Sequence, residues 1–168
     1  MGGLAQRAGV SKETLYRWWR SKTEVLLEAL TAYGEQAIPV PDTGRLDRDL
    51  HGFLRATAAA LDPPTRRILR ILAAEAAADP TAAQQIRQQF LAHRRAALAT
   101  LLDRAVGRGE LPDQTTASTL LDLVFGSLWY RLVFATGPLD QAWADALTNT
   151  ITTLAGPPHQ PAARPGWP

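Results

Sequence analysis

Apolar residues recur along this chain at three- and four-residue spacing, and no run alternates with period two for long enough to make a strand. The pattern therefore predicts an all-α protein. Leu4–Ala8 reads as a short helix, turned by Gly9-Val10, and Ser11 caps a second piece over Lys12–Trp19. Ser21-Lys22-Thr23-Glu24 has the form of a capping box, Ser with Glu three residues on. It predicts a helix to about Ala37 with Val25, Leu26, Ala29, Leu30 and Tyr33 on one side. Pro39, Pro41 and Gly44 mark a linker. A helix over about Leu46–Leu61 follows, with Leu46, Leu50, Phe53, Leu54 and Leu61 as its stripe.

Asp62-Pro63-Pro64 is expected to stop that helix, and Thr65–Ala78 to form the next. Pro80 suits a first helical position. It opens the longest predicted helix, about Thr81–Arg108, which Gly109 ends. Thr116–Phe134 and Gln141–Leu154 complete the set, split by Gly137-Pro138. The stretch Leu120–Phe134 is the most apolar, but Asp122 and Arg131 interrupt it and it reads as too short to span a bilayer. The last 13 residues hold five Pro and read as a disordered tail. The expected division is 1–38, 39–155 and the tail 156–168.

Composition narrows the chemistry. At 168 residues the chain can bury a core without staples. Cysteine is absent, which excludes disulfides, Cys-based zinc sites, iron–sulfur clusters and thiol nucleophiles. His51, His93 and His159 stand far apart, and no triad, phosphate-cradling loop or paired carboxylate site emerges. No cofactor or metal is expected, and no enzyme. Glu75, in an Ala-rich apolar helix, is the one carboxylate that suggests a general base or a holder of a cationic ligand; the plainer reading is a Glu that reaches solvent or a neighbouring Arg. No targeting segment is apparent, and a soluble cytoplasmic protein with no membrane partner is expected.

Charge is unevenly placed. From Arg7 to Lys22 there are five basic residues (Arg7, Lys12, Arg17, Arg20, Lys22) against one acidic, Glu13, so this segment carries +4 of a net +2 and the remainder −2. A basic cluster in a near-neutral protein suits a phosphate-facing surface. Its spacing sharpens that reading. Two short helices joined by a Gly-containing turn cross steeply. Ala5 and Ala8 allow close approach, Val10 and Leu15 plug the junction, and Lys12, Glu13, Thr14, Tyr16 and Arg17 are left outward, where they fit a major groove.

The run Ala8-Gly9-Val10-Ser11-Lys12-Glu13-Thr14-Leu15-Tyr16-Arg17-Trp18-Trp19-Arg20-Ser21-Lys22 resembles the helix-turn-helix signature of the TetR family of transcriptional repressors. The all-helical remainder is similar to that family's ligand-sensing and dimerisation domain. The resemblance implies a TetR-like fold and a dimeric regulator, a repressor on a palindromic double-stranded DNA operator, released by a small-molecule effector. It implies that Ser11, Lys12 and Thr14 approach bases or phosphates. Tyr16 and Lys22 would hold phosphate, with Arg17 and Trp18 also facing DNA. Trp19 stands at a core aromatic position. The family carries a full helix before the equivalent of Leu4, so on this reading the head begins inside its second helix; the rival is a sensor or interaction dimer that has lost DNA binding with its first helix.

Beyond the head, a pocket between helices is expected, lined by Phe53, Leu54, Leu72, Glu75, Phe90, Trp129 and Tyr130; its mostly apolar character suits a hydrophobic effector. A helix apolar nearly all round is buried on more than one side. A dimer interface is accordingly expected from Leu121, Val124, Phe125 and Leu128 with Trp143, Leu147 and Ile151.

Overall fold

Most helices begin where a short polar side chain satisfies free amide donors. The computed structural model describes Trp19 and residues 21–155, so the two short helices expected before Trp19 and the tail lie outside the described residues. Ser21, in extended backbone, accepts from the Glu24 amide and starts α1 (Lys22–Ala37). Helix α2 spans Leu46–Ala60. Asp62 caps α3 (Pro63–Ala78), with the proline pair as its first residues. Those prolines start a helix as well as ending one, because the first turn needs no amide donor. Asp79 caps α4 (Pro80–Ile86). Asp113 accepts from the Thr116 amide at 2.7 Å and so begins α6 (Gln114–Phe134) two residues before Thr116. Helix α5 is Ala92–Gly107 and α7 is Gln141–Ala155. No strand occurs among the described residues.

The long helix expected over Thr81–Arg108 is interrupted. Between α4 and α5, Arg87–Leu91 forms a π-helical turn in which the Ala92 amide reaches back five residues to the Arg87 carbonyl. Ile86, Phe90, Arg94 and Leu98 are all buried at strict four-residue spacing. In an ideal α-helix such steps drift by about 40° each; the wider π turn lets Ile86, Phe90 and Arg94 share a side. After α5 the chain leaves through Gly109 at φ +74°, with the Glu110 amide bonded to the Ala105 carbonyl. A left-handed residue there closes the helix end.

The described residues form two compact units, those up to 38 with 60–96, and 39–59 with those from 97 onward. In the first, α1 packs on the π turn and on α4, and α3 packs on α4. Leu27, Leu30, Gly34 and Ile38 are the buried side of α1. This corrects the expected stripe, in which only Leu30 recurs; Tyr33 is 41 % exposed. The reason is the partner: Gly34 faces the Arg94 guanidinium, whose Nη1 lies 3.2 Å from where a Cβ would sit. In the second unit Leu46, Leu50, Phe53 and Leu54 of α2 are buried as expected, together with Leu98, Leu101, Leu102 and Ala105 of α5.

Helix α6 has 21 residues, and Thr116–Phe134 within it is long and apolar enough, by length and composition, to cross a membrane. The expectation of too short a span is thus corrected. Asp122 and Arg131 still interrupt it, and Ala117, Leu120, Leu121, Val124, Leu128 and Leu132 are buried in the fold.

Candidate functional site

Of the residues expected to face DNA, Ser11, Lys12, Thr14, Tyr16, Arg17 and Trp18 lie outside the described residues; Lys22 is described. It is exposed and is the first residue of α1, next to the Ser21 cap. Free amides and the positive end of the helix dipole gather at that end, so an anion is favoured there, and an exposed ammonium adds to it. Glu24 on the same turn is held by the cap through its amide, at 3.1 Å from Ser21 Oγ.

Trp19, expected to pack in the core, is half-buried, and its indole Nε1 donates to Glu28 Oε2 at 2.6 Å. The bond ties the chain entering α1 to the helix's second turn. Trp19, Glu24, Glu28, Thr31, Glu35 and His93 line a groove of about 530 Å³. Three carboxylates there repel phosphate, so the electrostatics concentrate any DNA backbone contact of α1 at its Lys22 end.

Two threonines then fix α1 within its unit. Thr23 Oγ1 donates to Glu75 Oε2 at 3.1 Å, and Thr31 Oγ1 donates to the Gln89 carbonyl in the π turn at 2.9 Å. Glu75 is half-buried and serves as an acceptor for the head-proximal helix; neither threonine carried a signal in the sequence, because their partners are 52 and 58 residues away. Arg94, buried beneath Gly34, is pushed below its ordinary value by desolvation, with Glu35 pulling the other way.

The seven expected pocket residues divide between the units. Leu72, Glu75 and Phe90 belong to the first; Phe53, Leu54, Trp129 and Tyr130 to the second. Phe53, Leu54, Leu72 and Phe90 are buried, Trp129 is half-buried, and Tyr130 is 59 % exposed. Tyr130 therefore stands on a surface. A cavity of about 630 Å³ in the second unit mixes charged and apolar lining, with Arg45, Asp47, Arg108, Glu110 and Thr152 beside Gly44, Leu46 and Ala155, and none of the seven lines it.

The expected interface residues turn inward. Leu121, Val124, Leu128, Trp143 and Ile151 are buried by their own chain, and Phe125 and Leu147 half-buried. Trp143 is held inside by its indole N–H, which donates to Ser127 Oγ at 3.0 Å. The apolar side chains that α6 leaves open are others: Leu123 (44 % exposed), Tyr130, Val133 (41 %) and Phe134 (70 %), joined on α7 by Leu154 (66 %).

Residues 1–29 match the family model described as bacterial regulatory proteins, tetR family, and residues 40–151 match the tetracyclin repressor-like C-terminal domain. The chain belongs to the TetR family. It is a helix-turn-helix transcriptional regulator that acts through DNA, not an enzyme. All seven DNA-facing candidates, Ser11 to Lys22, fall inside the first matched stretch. Among relatives, the chain is 36 % identical over 155 residues to the DNA-binding transcriptional repressor TetR of Mycobacteroides abscessus, covering 90 % of this chain and 80 % of that protein. It is 28 % identical over 149 residues to the HTH-type transcriptional regulator YdeS of Bacillus subtilis, covering 88 % and 75 %. The crystal structure of the TetR family transcription regulator SCO0332 superposes with a TM-score of 0.81 at 33 % identity, covering 90 % of this chain and 84 % of that one.

Proposed function

We propose that this TetR family member is a cytoplasmic homodimeric repressor that binds a palindromic operator and is released by a small-molecule effector. The observation that carries the dimer is the open side of α6. Leu123, Tyr130 and Phe134 recur at seven and four residues, with Gly126 and Val133 beside them, and all are exposed. A contiguous apolar face of this kind is unusual on a monomer. Tyr130 and Phe134 rings sit 5.7 Å apart and tilted, a preformed aromatic ridge. A two-fold axis would place this ridge against its own copy and set two reading heads at a fixed spacing. Ser11, Lys12, Thr14, Tyr16, Arg17, Trp18 and Lys22 are the residues assigned to DNA, phosphate contacts outnumbering base contacts. The effector must bind the DNA-releasing conformation more tightly than the DNA-binding one. The relative named as a repressor supports the sign of regulation.

The test is fluorescence anisotropy with duplexes from the regions flanking the protein's own gene, across a salt series. Specific binding should weaken steeply with salt, and Lys22→Ala should lower the log–log slope by about 1. Absence of any specific duplex binding by the dimer would replace this reading with that of a sensor or interaction dimer.

A further inference from the structure

We propose that Glu28 is a positioning residue for DNA binding: it holds the Trp19 indole and so fixes the chain where the DNA-facing segment joins α1. Glu28 is exposed on the second turn of α1, where its charge alone would oppose a phosphate backbone. Yet its Oε2 accepts from the Trp19 indole Nε1 at 2.6 Å, across nine residues of chain. A bond from an N–H to an ionised carboxylate is charge-assisted, the stronger kind. Trp19 is half-buried and lines the same groove as Glu28.

Both ends of this bond lie in the first unit, and α1 is a firm post within it. Leu27, Leu30 and Gly34 are buried. Thr23 is bonded to Glu75, and Thr31 to the Gln89 carbonyl. At the start of the helix the Ser21 hydroxyl accepts from the Glu24 amide at 3.1 Å. In sequence only Arg20 separates Ser21 from Trp19, and Arg17 and Trp18, both assigned to DNA, come directly before it. Without the indole bond the last fastening ahead of the DNA-facing segment is Ser21. With it the fastening moves to Trp19, next to Trp18. A backbone residue left loose must be ordered again when DNA binds, and ordering one residue is equivalent to about tenfold in affinity. Two opposed effects therefore meet in one side chain. As an exposed, screened charge Glu28 weakens duplex binding by about threefold. As an acceptor it strengthens binding by about tenfold, so the acceptor wins.

The proposal rests on the DNA-binding reading, and the experiment separates the two. Charge-matched pairs isolate the acceptor. Glu28→Asp keeps the charge and draws the carboxylate back from the indole. Glu28→Gln and Glu28→Ala both remove the charge, and only Gln can accept. Duplex affinity is read by anisotropy, and the Trp19 indole N–H by its hydrogen exchange in NMR spectra. Glu28→Asp should bind about tenfold more weakly than wild type, and Glu28→Ala about tenfold more weakly than Glu28→Gln, each loss accompanied by faster indole exchange. Glu28→Gln should stay within about threefold of wild type. In a Trp19→Phe background, which has no donor, Glu28→Gln and Glu28→Ala should agree within about twofold. Should Trp19→Phe unfold, indole exchange carries the test, and affinity must follow it across the Glu28 variants. Equal duplex affinity within both charge-matched pairs would overturn this proposal alone, as would a Gln–Ala gap that survives in Trp19→Phe or an indole equally protected in every variant. Failure of the wild-type protein to bind any specific duplex would overturn the functional reading and this proposal with it.

Discussion

Phe134→Ala should dissolve the dimer and spare the fold. The ring is 70 % exposed on its own chain, so the single-chain structure gains little from it beyond the contact with Tyr130. Burying a whole Phe side chain is worth about 1.5–3 kcal/mol, so covering the open part in an interface is worth about 1–2 kcal/mol. Two-fold symmetry counts the ring twice, which gives about 2–4 kcal/mol per dimer and a dissociation constant raised roughly thirty- to several-hundred-fold. Sedimentation equilibrium over a wide concentration range measures this, and urea denaturation of the monomer serves as the control. Leu132→Ala supplies the contrast: Leu132 is 1 % exposed and its truncation should cost about 2–5 kcal/mol of folding stability. A Phe134→Ala dissociation constant within about threefold of wild type would refute the interface assigned to α6, as would a loss of monomer stability matching that of Leu132→Ala.

Ser127→Ala should destabilise the second unit by about 1–3 kcal/mol in urea denaturation, because the Trp143 indole N–H, buried with its ring, loses its acceptor. Two helix ends should respond oppositely in urea melts. Gly109→Ala puts a Cβ at φ +74° and should lose about 1 kcal/mol, while Ala135→Gly, at φ 52°, should gain up to about 1 kcal/mol. Asp62 accepts from the Thr65 amide at 2.8 Å, and the Thr65 side-chain and backbone donors hold its carboxyl below the ordinary 3.8. A depressed folded pKa stabilises above the unfolded value and is lost as pH falls through the folded one. The Asp62 carboxyl should therefore titrate below 3.8 by NMR, and Asp62→Asn should remove its share of acid sensitivity.

Where a helix has one apolar side, the chain announced its packing. Leu46, Leu50, Phe53 and Leu54 of α2 are such a case, and all four are buried. Helix α1 misled because its buried side includes Gly34, which has no side chain, over a buried Arg94; neither residue type registers as apolar. Helix α6 is apolar nearly all round, so periodicity could not choose which side faces in, and Leu121, Val124 and Leu128 went inward while Leu123 and Phe134 stayed out. Within the head, the Ser21 cap and the exposed Lys22 were legible from four consecutive residues. The threonine ties to Glu75 and Gln89 depend on partners brought together by the fold.

The π turn gives residues 80–96 slack. It holds one residue more than an α-helical path between the same ends would need. Deleting any single residue from Arg87–Leu91 would let the segment relax into continuous α-helix with α5 still in register, so Arg94 keeps its place at Gly34. The local loss is the Gln89 carbonyl tie to Thr31. The same deletion within α5 has no such slack to draw on, and every later side chain would swing by about 100°. Single-residue deletions scanned along the chain should therefore be tolerated at residues 87–91, inside an unbroken helical stretch, and rejected at residues 96–105, a contrast that side-chain burial alone would not foretell.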